Sequence, residues 1–188
     1  MTGRHIAVYG GSFNPLHIGH LAIIRHMIED AGFDYVYLIV SPKNPLKDSI
    51  SSDSAADRFK AAVDAVSRHF DSKVKVDDIE MDMPEPHYTI RTLAALKERE
   101  PANSFTLIIG ADNLADIRRW HDYPSILRDF GVAVFPRRGF DLDTVRKDLI
   151  KEDSAYKIDI LDAEMVDISS TIIRESIASG KDVSSWMM

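Results

Sequence analysis

The stretch Tyr9-Gly10-Gly11-Ser12-Phe13-Asn14-Pro15-Leu16-His17-Ile18-Gly19-His20 decides how the rest of the chain is read. Ahead of it, Ile6-Ala7-Val8 is an apolar run of the kind that forms a buried strand. Behind it, Leu21, Ile24, Ile28 and Ala31 recur at helical spacing and predict one apolar helix face. Two glycines therefore sit in a strand-to-helix turn, with His17 and His20 at the helix start and on one face. No Asp or Glu occurs from Met1 to Ile28, although the chain carries 30 acids against 23 bases. Glycine lets the backbone approach a ligand, and a helix N-terminus offers N–H groups and partial positive charge. This chemistry suits a phosphate. A tight turn with structural histidines is the plainer alternative, because the spacing is neither a dinucleotide fingerprint nor a Walker A loop.

Composition narrows the classes. A chain of 188 residues with 45% apolar residues can bury a substantial core in one domain. The net charge of -7 argues against a general nucleic-acid binder, which shows a basic face. The absence of cysteine removes disulfides, thiolate metal sites and a cysteine nucleophile. No secretory leader opens the chain, and no apolar run is long enough for a membrane span. A cytoplasmic location without membrane or nucleic-acid partners is expected.

Further along, strands and helices alternate. Strands are predicted at Ile6–Tyr9, Tyr35–Val40, Lys73–Asp77, Phe105–Ile109, Val132–Phe135 and Lys157–Leu161. Helices are predicted at Ile18–Ala31, Ser54–Phe70, Tyr88–Glu98, Asn113–Arg119, Pro124–Asp129, Leu142–Ile150 and Ser170–Ala178. The pattern implies an α/β fold, a Rossmann-like doubly wound parallel sheet in a single domain over residues 1–188. Such sheets bind ligands beyond the carboxyl ends of their strands, so the loops after strands are the ones to search.

Several of these loops carry candidates. Ser41-Pro42-Lys43-Asn44-Pro45-Leu46-Lys47-Asp48 is a proline-stiffened turn whose lysines suit either solvent or phosphate. Met83-Pro84-Glu85-Pro86-His87-Tyr88-Thr89 leads into a helix, where Thr89 suits a cap. The strand from Phe105 closes with Gly110 and Asp112, and the aspartate is placed either to accept ribose hydroxyls or to cap the next helix. Trp120 lies in a charged segment and offers a flat face to an aromatic ring, more strongly to a pyridinium. Pro136-Arg137-Arg138-Gly139 reads foremost as a solvated turn, with a part in a phosphate lining as the alternative. Ile168-Ser169-Ser170-Thr171-Ile172-Ile173-Arg174 opens the last helix and puts Arg174 on the face of Ser170 and Thr171. That is a second anion-binding arrangement or an ordinary cap. The stripe Phe59, Val63, Val66 and Phe70 reads as core packing without chemistry.

Gly10 to Pro15 followed by His17-Ile18-Gly19-His20 resembles the signature of the nucleotidyltransferases related to class I aminoacyl-tRNA synthetases. From this loop to the last helix, the chain is similar to the bacterial nicotinate-nucleotide adenylyltransferases. The resemblance implies ATP binding by Gly10, Gly11, Ser12, Phe13, Gly19, Ile168, Ser169, Ser170 and Thr171. It implies catalytic roles for His17, His20, Lys47 and Arg174, which compensate the charge of the phosphates. It also implies pyridine-nucleotide binding by Tyr88, Thr89, Gly110, Asp112, Trp120 and His121, with Trp120 stacking on the ring. Asn14 stands where many relatives carry Asp, Leu46 where a loop histidine is usual, and His87 where Ser is usual. Family members usually continue through a further short helix after the position of Trp186-Met187-Met188.

The implied reaction joins ATP and nicotinate mononucleotide into nicotinate adenine dinucleotide and releases pyrophosphate. The attacking 5′-phosphate has a second pKa of about 6 and is mostly a dianion at neutral pH, so no general base is needed. Mg²⁺ is expected to arrive with ATP, since no carboxylate cluster marks a protein-held metal site. The alternatives are a phosphopantetheine or nicotinamide-mononucleotide adenylyltransferase, or a nucleotide sensor without turnover. The sequence leaves the oligomeric state unspecified.

Overall fold

Six of the apolar runs pair edge to edge in one sheet. The structure, a computed structural model, describes residues 3–42, 54–163 and 168–188. Its strands are β1 (His5–Gly11), β2 (Tyr35–Val40), β3 (Val74–Asp77), β4 (Ser104–Gly110), β5 (Val132–Phe135) and β6 (Ile158–Ile160). All neighbours are parallel, in the order β3-β2-β1-β4-β5-β6. This is the predicted doubly wound α/β sheet, and its winding reverses between β1 and β4, where such folds open a crevice.

The strands read as continuous apolar runs because both sheet faces are buried. Ile6, Val8, Ile39, Leu107 and Ile109 point into one core, and Ala7, Val36, Leu38, Val40 and Ile108 into the other. Helices α1 (Ile18–Glu29) and α2 (Ala55–His69) cover the second core through Ile24, Met27, Ala62 and Ala65. Helices α3 (Thr89–Arg99), α4 (Ala111–Ala115) and α6 (Leu142–Glu152) cover the first through Leu93, Leu96, Leu114 and Leu149. Each buried Leu, Ile or Met among these contributes roughly 1.5–3 kcal/mol, so packing rather than intrinsic propensity holds the helices on the sheet. One turn, α5 (Tyr123–Ser125), precedes β5, and α7 (Ser170–Ala178) follows β6.

The structure corrects three helix predictions. The first helix stops at Glu29, and Met27 rather than Ala31 completes its buried face. The predicted helix Asn113–Arg119 divides: α4 ends at Ala115, Asp116 leaves helical geometry, and a 3₁₀ turn spans Ile117–Arg119. The predicted helix Pro124–Asp129 becomes α5 running into a wide turn over Ile126–Phe130, entered through Asp122 in the left-handed region at φ 48°. Ile117, Ile126 and Leu127 all reach the same core. In α2 the buried face carries Arg58, Ala62, Ala65 and Val66, while Val63 is exposed. The small alanines let the helix lie close to the sheet. The arginine among them contradicts a purely apolar role.

Candidate active site

The end of β1 and the start of α1 build the first half of the site. Phe13 adopts the left-handed φ of 43° and turns its buried ring back against Tyr9 and His20, at centroid distances of 5.4 and 5.1 Å. A side chain at Gly11 would meet that ring, since a Cβ there would lie 3.0 Å from Phe13 Cζ. Around Gly10 there is open space within 4 Å, so its backbone is accessible to a ligand.

His17 and His20 cap α1 reciprocally. The Gly19 N–H donates to His17 Nδ1 at 3.2 Å, and the His17 N–H donates to His20 Nδ1 at 3.2 Å. Their ring centroids are 3.7 Å apart. Because each Nδ1 accepts, the neutral rings carry their proton on Nε2, which becomes the donor toward a ligand. Burial, then the charge of Arg137, holds His17 down at about 4. Burial, then His17 and Arg137, holds His20 well below the ordinary histidine value. Without ligand at neutral pH the pair therefore offers oriented neutral donors rather than two cations.

The far end of the chain docks on this loop. Ser169 caps α7 by accepting the Ile172 N–H at 3.3 Å. Ser170 Oγ donates to the Pro15 carbonyl at 3.2 Å. Arg174 donates through Nη1 to the Asn14 carbonyl at 2.7 Å and through Nη2 to Thr171 Oγ1 at 3.1 Å. The two anion-binding candidates thus adjoin, joined through Asn14 and Pro15.

A third contributor escaped the sequence reading. Arg58, 5% exposed, donates to the carbonyls of Ser12 at 2.6 Å, Ser41 at 2.9 Å and Pro42 at 3.1 Å. It ties the signature loop to the end of β2. Backbone carbonyls leave no mark in a sequence, so neither could this clamp.

The second half lies at the ends of β4 and β5. Gly110 is the N-cap of α4, and Asp112 sits inside the first turn, so the aspartate does not cap the helix. It pairs instead with Arg137, Nη1 to Oδ1 at 3.5 Å. A Cβ at Gly110 would lie 2.6 Å from Asp112 Oδ1 and 3.3 Å from Arg137 Nε, so this pairing requires glycine there. The turn expected around Arg137 is present, and from it the half-exposed Arg137 side chain leans on Asp112. The N-cap of α3 is Tyr88, with no side-chain cap bond, and Thr89 is the first helical residue. Thr89 is therefore not a cap. Tyr88 stacks on His121 at 4.2 Å and 17°. Trp120 is half-buried against the core. His87 is buried, and its Nδ1 lacks a hydrogen-bond partner among the described residues.

Lys47 and Leu46 lie outside the described residues. Among the described residues, no group of three or more His, Asp or Glu is arranged to hold a metal ion. Nor is any described helix long and apolar enough to cross a membrane.

Known proteins share both the sequence and the architecture. A cytidylyltransferase-like family model matches residues 8–176. A Flavobacterium psychrophilum protein named "Probable nicotinate-nucleotide adenylyltransferase" is 39% identical over 180 residues, covering 95% of this chain and 89% of its own length. A Bacteroides fragilis protein of the same name is 36% identical over 183 residues, covering 97% of this chain and 87% of its own. Among solved structures, Plasmodium falciparum nicotinic acid mononucleotide adenylyltransferase complexed with NaAD superposes with a TM-score of 0.79 at 18% identity. That match covers 98% of this chain and 90% of the other, and at such identity it speaks to the fold. The chain belongs to the cytidylyltransferase-like nucleotidyltransferases, and among them to the nicotinate-nucleotide adenylyltransferases.

Proposed function

We propose that the chain transfers the adenylyl group of ATP to nicotinate mononucleotide, giving nicotinate adenine dinucleotide and pyrophosphate, a step of NAD biosynthesis. The observation that carries this reading is the docking of α7 on the signature loop, Arg174 on Asn14 and Ser170 on Pro15. It sets a helix start, a guanidinium and the histidine pair around one place, a cradle for a triphosphate rather than for a single anion.

The chemistry asks mainly for charge management. Two anions must meet in line, and negative charge grows on the departing pyrophosphate. The Nε2–H donors of His17 and His20 and the Arg174 fork are preorganised for that growth. A bound polyphosphate also raises the proton affinity of the buried imidazoles, so they can gain charge as the leaving group does. Lys47 is a further phosphate contact in this reading. Mg²⁺ enters with ATP and spreads the charge of its phosphates, which suits a site with no cluster of metal ligands among the described residues. The acceptor lies on the β4 side, with its ribose toward Asp112 and its ring toward Tyr88, Trp120 and His121. The first turn of α3, with no side-chain cap, presents N–H groups and a positive helix end, which favours the carboxylate of nicotinate over an amide. The absence of cysteine suits a cytoplasmic enzyme.

The test is a pyrophosphate-release assay with ATP and, in turn, nicotinate mononucleotide, nicotinamide mononucleotide and phosphopantetheine. Release with the first and little with the others is expected. Preference for phosphopantetheine overturns the acceptor, and nucleotide binding without any release makes the chain a sensor.

A further inference from the structure

The chain does not leave the signature loop where α7 ends. Gly180 lies in the left-handed region at φ 74°, its N–H donating to the Ile177 carbonyl at 2.9 Å, and the Lys181 N–H donates to the Ser176 carbonyl at 2.9 Å. Glycine takes that backbone conformation without strain, so the chain can turn back here. Asp182 Oδ1 then accepts the Ser184 N–H at 2.9 Å. A 3₁₀ turn over Ser184–Trp186 follows, with the Trp186 N–H on the Val183 carbonyl at 2.9 Å. Beyond the turn, Met187 forms an antiparallel β-bridge with His17. The returning segment is fastened on both sides of that bridge. Val183 is buried, and Met188 packs against the core that α1 and α2 cover. Arg68 of α2 donates through Nη2 to the Met188 carbonyl at 3.1 Å.

With Arg174 on the Asn14 carbonyl and Ser170 on the Pro15 carbonyl, α7 and its return together hold residues 14, 15 and 17 of the signature loop. His17 is where the return acts. The Gly19 N–H meets its Nδ1, and its own N–H meets Nδ1 of His20. Both imidazoles are therefore oriented relative to the His17 backbone, and a shift of that backbone turns both Nε2 donors. A displacement of about 1 Å at reacting groups costs about 100-fold in rate. We infer that residues 183–188 are a positioning strap, which fixes the direction of both histidine rings by bridging His17 through Met187. The bridge runs backbone to backbone, so the strap works through its path and its anchors rather than through the Met187 side chain. Its residues act through His17 and do not themselves meet the reacting atoms. The effect on turnover rests on the adenylyl-transfer reading, whereas the effect on the rings does not.

The experiment combines nitrogen NMR of the His17 and His20 side chains at pH 7.5 with steady-state kinetics. It compares wild type with Met187→Pro, Arg68→Ala and, as a control on α6, Val145→Ala, which trims a partly buried side chain on the opposite core. Wild type is expected to hold both rings as the single Nε2–H tautomer. Proline disrupts a β-bridge, so Met187→Pro should mix the tautomers of both rings. It should also lower kcat by about 10-fold to 100-fold, with the KM for ATP changed by less than about 3-fold. Arg68→Ala removes one anchor and should act in the same direction, by about 3-fold on kcat. Val145→Ala should lower the melting temperature and leave both tautomers alone. Unmixed tautomers in Met187→Pro, a loss confined to the KM for ATP, or the same mixing in Val145→Ala each overturn the strap. If Met187→Pro does not fold, unchanged tautomers and kcat in Arg68→Ala overturn it instead. Absence of pyrophosphate release by wild type overturns the adenylyl-transfer reading, and the tautomers then decide the strap by themselves.

Discussion

Arg174 Nη1 lies 2.7 Å from the carbonyl oxygen of Asn14, a hydrogen bond between residues 160 positions apart. With Nη2 on Thr171 Oγ1 as well, both Nη groups are held by protein, which fixes the plane of the guanidinium. Arg174→Lys retains charge without the fork and should raise the Michaelis constant for ATP by about 10-fold. Arg174→Ala should cost about 100-fold in kcat/KM for ATP. Steady-state kinetics with varied ATP at saturating acceptor separates the two. Unchanged kinetics in Arg174→Ala would remove it from the site.

His20→Ala takes away one Nε2 donor and the Nδ1 acceptor that caps the His17 N–H. Turnover should fall about 100-fold to 1,000-fold while ATP binding changes far less, because the interaction strengthens as the leaving group charges. Loss of the cap adds about 1 kcal/mol of destabilisation, visible in denaturant melts. A variant with normal turnover would leave His20 a purely structural residue.

Folding stability should depend on pH through the same pair. Both folded-state values are depressed, His17 to about 4, whereas an unfolded histidine titrates near 6.5. Between those limits the unfolded chain binds more protons, so stability is full above about pH 6.5 and declines as pH falls toward 4. The slope is at most about 1.4 kcal/mol per pH unit for each histidine. Urea titrations at pH 7.5, 6 and 5 on wild type and His17→Asn check it, the variant having the shallower dependence.

Trp120→Ala should chiefly raise the Michaelis constant for the pyridine nucleotide. The side chain also packs on the core, so a lower melting temperature accompanies the kinetic effect. Tyr88→Ala, which removes the stack on His121, gives the cleaner test. If either variant altered only ATP affinity, the ring assignment would fail.

Arg58→Ala strips donors from the carbonyls of Ser12, Ser41 and Pro42 inside the protein. A loss of roughly 3 kcal/mol is expected, measured by chemical denaturation. Arg58→Lys should restore only part of it, since one ammonium cannot reproduce the planar fork.

The architecture was legible because period and composition carry it. Tyr35–Val40 and Val132–Phe135 coincide with the observed strands, and Ser170–Ala178 with the observed helix. The helices around Trp120 were not, because their breaks serve a shared core and not a local signal. The signature histidines were visible as residues, but their reciprocal capping passes through backbone N–H groups that any sequence possesses. Arg58 and Arg137 were hidden for the same reason from opposite directions. One bonds three backbone carbonyls, and the other meets an acid 25 positions away across two parallel strands.

The Arg58 clamp has a consequence for how the molecule comes apart. Its guanidinium can be stripped of water only when α2, the end of β2 and the signature loop are all in place. The signature loop therefore belongs to the same cooperative unit as the sheet and cannot melt separately from it. Amide hydrogens at Gly19 and His20 should exchange only through global opening, on the timescale of the β-strand amides, even with no nucleotide bound. That half of the crevice is therefore in shape before anything binds.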